Sequence, residues 1–259
     1  MSNNLIISGL IERMEDWAYI SGPVKKEQWK DDYSAMEFAR LWFKKDKNGH
    51  FYTSIPNQIQ NIINYAFGPS EILFCIPEKE TQIIDAGEGR HHDMFIYGVS
   101  ENKEPFVVGI EAKVREDFDK LISQKLKDTT KTKGKSQIPV RINTISEHFC
   151  LDKSKINDLY YQLFTGAEGT AQEALNYKIK NAIFLIVQIN PNENIDTMIK
   201  THEEAIANFV DANNSVIQKL ESTESDFIAK LITNKTYADK NIYIGYVKIP
   251  RNHYEENNI

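Results

Sequence analysis

Cysteine is scarce in this chain. Cys75 and Cys150 are the only two, too few for the disulfide framework that staples small secreted folds. Nor is there an apolar run of the about 18 residues that a membrane-spanning helix requires. The opening MSNNLIISGLIERMEDW has no basic start before its short apolar patch and meets acid by Glu12, so the expectation is a cytoplasmic protein with no membrane partner. Glycine-rich phosphate and cofactor motifs are missing as well: there is no G-x-x-x-x-G-K-[ST], no G-x-G-x-x-G and no G-x-S-x-G. P-loop nucleotide hydrolysis, dinucleotide binding and nucleophile-elbow chemistry therefore have no support. No internal repeat and no Pro-rich or Gly/Ser-rich linker divides the chain, which predicts one domain over residues 1–259.

What is present is an ordinary core-forming composition. With 259 residues, 41% of them hydrophobic, the chain can remove roughly 70% or more of its unfolded surface from water without disulfide or metal staples. The net charge of −6 argues against coating nucleic acid by bulk electrostatics. Its distribution is uneven: Lys113 to Arg141 holds nine basic residues against four acids, which makes this window the candidate phosphate-facing surface. Thr129 to Gln137 and Asn252 to Ile259 lack apolar anchors and read as mobile segments.

Ser34 and Glu37 have capping-box spacing, and Met36, Ala39 and Phe43 recur at helical intervals, which predicts a helix from Ser34 to about Lys44. Ser54 and Pro56 open a second helix with an Ile55, Ile59, Ile62, Ile63, Ala66 stripe, ended by Gly68 and Pro69. The runs 71–77, 81–85, 93–99 and 105–114 are rich in β-branched and aromatic residues and predict an antiparallel meander. Phe118, Leu121, Ile122 and Leu126 mark one further helix, and Ile156, Leu159, Tyr160, Leu163 and Phe164 another. The continuously apolar 182–189 predicts a strand covered on both faces. Helices near 195–211 and 215–231 and a strand at 241–249 complete an α/β order, a central mixed sheet with helices on its faces.

The chemistry concentrates at Asp93 and, after 17 intervening residues, at Glu111, Ala112 and Lys113. Alternation puts Glu111 and Lys113 on one strand face and Ile110 and Ala112 on the other. Charges at the end of so apolar a run are expensive unless paired or bound to something. A hairpin brings Asp93 beside Glu111, and two close carboxylates suit Mg²⁺ or Mn²⁺, which is commonly held by one or two carboxylates and a substrate phosphate. Lys113 is placed to orient a metal-bound water or to stabilise charge on phosphorus. These parts make a phosphodiesterase.

In Asp93 and Glu111-Ala112-Lys113 the chain resembles the PD-(D/E)XK nuclease superfamily, over about residues 30–190. The resemblance implies a restriction-endonuclease-like core, with residues 191–259 as a C-terminal elaboration of extra helices and a strand. It implies a metal-dependent nuclease acting on DNA, with RNA as an alternative substrate and a homodimer as an open state. Asp93, Glu111 and the Ala112 carbonyl would bind metal, joined by Glu37, which is similar to an acid that some branches carry on the first core helix. Lys113 would be catalytic, as would Gln162, which with Tyr160 and Tyr161 resembles an element of other branches. Lys120, Lys125, Lys131, Lys133 and Lys135 would hold nucleic acid. His92 stands where the family name has proline.

Rival readings stay open. Asp85 replaces Asp93 if the hairpin is drawn one strand earlier. His91, His92 and Asp93 carry zinc-ligand chemistry, but neighbours on a strand face opposite ways and no second His/Cys cluster stands at ligand spacing. In the nuclease reading either histidine would contact phosphate at the mouth of the site. The domain could also be a catalytically inactive binding or regulatory module of a bacterial defence or mobile-element system. A plain interaction protein, with residues 190–259 pairing with a partner or a second copy, is the third.

Overall fold

A computed structural model describes residues 6–7, 11, 14–21, 29–45, 48, 51–83, 89–130, 136–190, 196–220, 223 and 225–251. Among these, strand β1 (Ile6–Ile7) and helix α1 (Met14–Ser21) precede α2 (Ser34–Trp42), the small hairpin β2 (Phe43–Lys45) and β3 (Phe51–Thr53), and α3 (Asn57–Phe67). The meander follows as β4 (Ser70–Thr81), β5 (Arg90–Ser100) and β6 (Pro105–Lys113). Helices α4 (Ile122–Thr129), α5 (Ile138–His148) and α6 (Tyr161–Asn176) lead to β7 (Asn181–Asn190). The rest is α7 (Asp196–Ala212), β8 (Ile217–Lys219), β9 (Phe227–Lys230) and β10 (Asn241–Pro250).

Eight strands form one mixed sheet in the order β1-β4-β5-β6-β7-β10-β9-β8. The β4–β5–β6 pairings are antiparallel, as expected, while β7 runs parallel to both of its neighbours, β6 and β10. Strand β7 is buried from Asn181 to Ile189 because its alternate residues serve two cores. Ile183, Leu185, Val187 and Ile189 pack with α2 and α3, whereas Ala182, Phe184 and Ile186 pack with α5, α6 and α7. This is the two-sided burial that a continuously apolar strand encodes. Among the described residues no helix is long and apolar enough to cross a membrane.

The structure corrects several boundaries. Residues 71–77 and the start of the 81–85 run belong to a single strand, β4, and Asp85 lies outside the described residues. Helix α2 stops at Trp42, since Phe43 is extended and pairs with Thr53. Helix α5 occupies 138–148, where the periodicity marks none. The expected helix across 156–164 is a 3₁₀ turn at Ile156–Asp158 followed by extended Leu159 and Tyr160 before α6 begins. A β-bridge between Leu121 and Tyr160 imposes that extension, with the Ile122 and Tyr161 amides donating to the Leu159 and Lys120 carbonyls.

The expected helix at 215–231 is instead the β8–β9 hairpin. Asn214 at φ 55° ends α7, and Phe227, Ala229 and Leu231 face one core while Ile228 faces the other. That period of two is a strand's, and the Ser/Thr/Asp-rich 222–226 between the strands supplies turn chemistry.

Candidate functional site

Strand β6 carries the site at its C-terminal end. Phe106, Val108, Ile110 and Ala112 enter the core beneath α2 and α3, so alternation turns Glu111 and Lys113 to the face that α6 covers. Both are buried, at 3% and 5% exposure. Asp93 reaches the same place from β5, where its Oδ2 accepts the Ala112 amide at 2.6 Å. With Glu78, His91, Glu116, Asp117, Asp119 and Gln162 these side chains wall a cavity of about 420 Å³ that Tyr33, Ser34 and Ala35 of the α2 entry close.

Glu111 is the most heavily bonded member. Its Oε1 accepts Lys113 Nζ at 2.7 Å and Gln162 Nε2 at 2.6 Å, while Oε2 pairs with the Arg90 guanidinium. Gln162 also accepts the Asp119 amide at 3.3 Å through Oε1. The Leu121–Tyr160 bridge explains this reach, because it lays the segment after β6 beside the first turn of α6. Sequence reasoning named Asp93, Glu111, Lys113 and Gln162, and the structure brings all four together.

Electrostatics follow from burial with mixed charge. Burial pushes the Asp93 carboxyl above its usual range, against the pull of Lys113 and of the Ala112 amide. Burial likewise pushes Lys113 down to about 8, against the opposing effect of Asp93. Burial favours the neutral form of Glu116 too, but the Ser34 and Val114 amides on its oxygens, at 2.7 and 3.1 Å, prevail and leave its pKa low. Glu116 is thereby the anion at the N-terminus of α2 and ties that helix to the end of β6.

Glu78 escaped the sequence reading. It falls between Pro77, which pairs with Met94, and Lys79, which pairs with His92, and so stands opposite Asp93. Its φ of 50° departs from the extended backbone within β4, and burial followed by the Asp93 charge pushes its carboxyl up to about 8. Held backbone of this kind concentrates at functional sites. Counting the β4–β5 register back from the hairpin would have found it; the Pro77-Glu78 step instead reads as a strand end. Arg90 escaped because it follows the glycine-rich AGEG and reads as turn.

Other predicted residues lie elsewhere. Glu37 does not line the cavity: buried, it gives Oε1 to Arg40 at 2.8 Å, Arg251 at 3.0 Å and the Asp32 amide at 3.0 Å. This clamp of α2 to the end of β10 is a structural role and removes Glu37 from the metal ligands. The capping box is corrected with it, since Tyr33 is the N-cap and its own side chain makes no capping hydrogen bond. His92 is withdrawn from any phosphate contact. It is fully buried, 3.1 Å from Thr81 Oγ1, in a slot where Cβ atoms on Gly109 and Gly169 would come within 2.9 Å of its ring. Those glycines let α6 close over β6, while His91 remains exposed on the cavity wall.

Of the basic window, Lys120 is exposed and pairs with Asp128 at 2.6 Å. Lys125 pairs with Asp119 at 2.5 Å and lies 5.1 Å from the Tyr161 ring centroid. Lys131, Lys133 and Lys135 fall outside the described residues. A second cavity of about 320 Å³ adjoins the first and shares His91, Asp119 and Gln162 with it.

Among the described residues no three His, Cys, Asp or Glu side chains form a ready metal cage. The donor set of Asp93, Glu111 and Glu78 is all oxygen, which fits a hard divalent cation held partly by substrate oxygens. Arg90 and Lys113 supply positive charge to Glu111. No curated protein and no solved structure matches the chain. A family model does match, over residues 10–251, and the chain belongs to that family, a domain of unknown function (DUF6946).

Proposed function

We propose that the chain is a divalent-metal-dependent nuclease of the PD-(D/E)XK type that hydrolyses phosphodiester bonds in DNA. One observation carries the reading: Asp93, Glu111 and Lys113, named from their spacing and strand context, line one cavity, and the Ala112 amide between the last two donates to Asp93. The order of a helix, an antiparallel meander, a crossover helix and a strand parallel to the third meander strand supports it, since that is the expected restriction-endonuclease-like core.

Asp93, Glu111 and the Ala112 carbonyl would hold Mg²⁺ or Mn²⁺, and Glu78 adds a further oxygen donor at the same wall. The bound ion would acidify a water and screen charge on the phosphate. Lys113 holds its ammonium between Glu111 and the cavity and, at about 8, can keep or pass a proton at Nζ near neutral pH. Gln162 fixes the Glu111 carboxylate by hydrogen bonding one oxygen. Lys120 and Lys125, with Lys131, Lys133 and Lys135, would meet the strand's phosphates.

The test is calorimetric titration of Mn²⁺, with and without duplex DNA, into the wild type and Asp93→Ala. Binding to the wild type that disappears in the variant is expected. Absence of binding even with DNA would sink the metal site. One observation favours a second reading, a nuclease-like module that does not cleave: both Glu111 oxygens are engaged by protein groups. Metal binding without cleavage of DNA or RNA would select it.

A further inference from the structure

The second cavity has the opposite chemistry to the first. Its walls are Ile83, Gly89, Arg90, His91, Asp119, Arg141, Tyr161, Gln162 and Thr165. Its volume of about 320 Å³ is at the lower end of small-ligand sites, which run from about 300 to 1,000 Å³. From this wall we propose that the cavity is an anion subsite that binds a phosphate of the nucleic-acid strand next to the one presented to Asp93 and Glu111. This rests on the nuclease reading for its ligand and goes beyond it in assigning a separate pocket.

Two arginines and a helix end converge there. The guanidinium groups of Arg90 and Arg141 bring positive charge and forked donors, the geometry suited to phosphate oxygens. Arg90 Nε is buried with no hydrogen-bond partner among the described residues, a donor whose burial is costly until something accepts from it. The N-terminal end of the 16-residue α6 supplies Tyr161, Gln162 and, one turn on, Thr165, and the N-cap residue Tyr160 makes no side-chain capping bond among the described residues. Its N-terminal dipole end therefore favours an anion in this space. The Tyr161 amide is already spent on the Lys120 carbonyl, and Arg141 Nη1 lies 3.5 Å from the Tyr161 hydroxyl. The opposing charge on the wall is Asp119, and Lys125 offsets it at 2.5 Å.

Position makes the pocket part of the same machinery. His91, Asp119 and Gln162 belong to both cavities, and Arg90 walls the second while its guanidinium grips Glu111 of the first. A strand with one phosphate at the carboxylates thus has an anion-binding wall beside it.

The experiment is titration of inorganic phosphate into the full chain in EDTA, followed by calorimetry, with wild type, Arg141→Gln, Arg141→Lys and His91→Ala. Wild type binds, Arg141→Gln weakens binding by about tenfold or more, Arg141→Lys retains part of it, and short oligothymidylate displaces the phosphate. His91→Ala, at an exposed position, gives a weakened variant if Arg141→Gln fails to fold. No phosphate binding by the wild type, binding unchanged in folded Arg141→Gln and in His91→Ala, or phosphate that oligothymidylate leaves in place would each overturn the proposal. Because no metal is present, the two readings fail separately. Phosphate binding lost at Arg141 together with no Mn²⁺ binding and no cleavage would sink the nuclease reading alone, whereas Mn²⁺-dependent cleavage without phosphate binding would sink the subsite alone.

Discussion

Helix α6 meets the buried carboxylate of Glu111 and carries that of Glu168, and these two differ instructively. Near its N-terminus Gln162 bonds Glu111; two turns further on, Glu168 is itself buried and accepts on Oε1 from His148 at 2.8 Å, Tyr237 at 3.0 Å and Gln172 at 3.0 Å. Both carboxylates are richly hydrogen bonded, so bonding alone does not mark a functional group. Access does. Glu111 forms part of a cavity wall beside Asp93 and Glu78, two further acids whose pKa values are raised, and a lysine whose pKa is lowered. Glu168 sits at 0% exposure, its Oε1 taking all three donors while Oε2 is buried without a hydrogen-bond partner among the described residues, and it joins α5, α6 and the 3₁₀ turn at Lys235–Tyr237. The first cluster leaves room for a ligand; the second fastens elements together.

Matched substitutions probe this difference most strongly. Glu111→Gln should lower DNA cleavage by about 10³-fold or more, as loss of a metal ligand does, without preventing folding. Glu168→Gln should leave cleavage within about tenfold while lowering stability by about 1–3 kcal/mol, the cost of disturbing a buried hydrogen-bonded network. Plasmid cleavage and urea unfolding of both variants measure this, and a folded Glu168→Gln that had lost cleavage would break the distinction.

Gln162→Ala should reduce cleavage or metal affinity by about 10–100-fold, the usual effect of removing a group that orients a metal ligand. An unchanged Mn²⁺ isotherm and rate would return Gln162 to a packing role. Arg90→Gln sharpens the contrast in another way. It removes a cation that competes for Glu111, so Mn²⁺ should bind several-fold more tightly in the absence of DNA, at a stability cost of about 3 kcal/mol for the broken buried pair. Weaker Mn²⁺ binding in a folded variant would show that Arg90 supports the metal ligands.

The smallest effect belongs to the sealed cluster. Hydrogen bonding to Glu168 raises the pKa of His148 above the ordinary histidine value despite burial. The folded state therefore binds the proton more tightly than the unfolded state, and this contribution to stability is full below the unfolded value of about 6.5 and is lost as pH rises through the raised folded value. His148→Gln should flatten that part of the stability–pH curve; an unaltered slope would exclude the His148–Glu168 pair as its source.

Much of this site was legible because its signal is local. Glu111 and Lys113 stand out as charges alternating with core residues at the end of a strand, and Asp93 lies in the first half of the facing strand. Glu78 and Arg90 were not legible: Glu78 faces Asp93 through register and is itself at positive φ, and Arg90 follows the glycine-rich sequence AGEG, which reads as a turn. The same holds for the fold. Strand β7 announced itself by continuous apolarity, and α7 by its period. Helix α5 did not, since Arg141, Asn143 and Thr144 dilute its apolar face. The β8–β9 hairpin was hidden because Val216, Ile217, Leu220, Phe227 and Ile228 also satisfy a helical spacing, and only the neighbouring edge of β10 decides between the two. Glu37 was misassigned because its partner Arg251 lies 214 residues away.

The central claim is that Asp93 and Glu111-Ala112-Lys113 form a metal-dependent phosphodiesterase site. Its most direct measurement is cleavage of duplex DNA by the wild type and by Asp93→Ala in Mn²⁺ and in EDTA, with thermal unfolding of both proteins as the folding control. The account predicts cleavage by the wild type in Mn²⁺ alone and none by a normally folded Asp93→Ala. Equal cleavage by the two proteins, or none by the wild type in Mn²⁺, would contradict it.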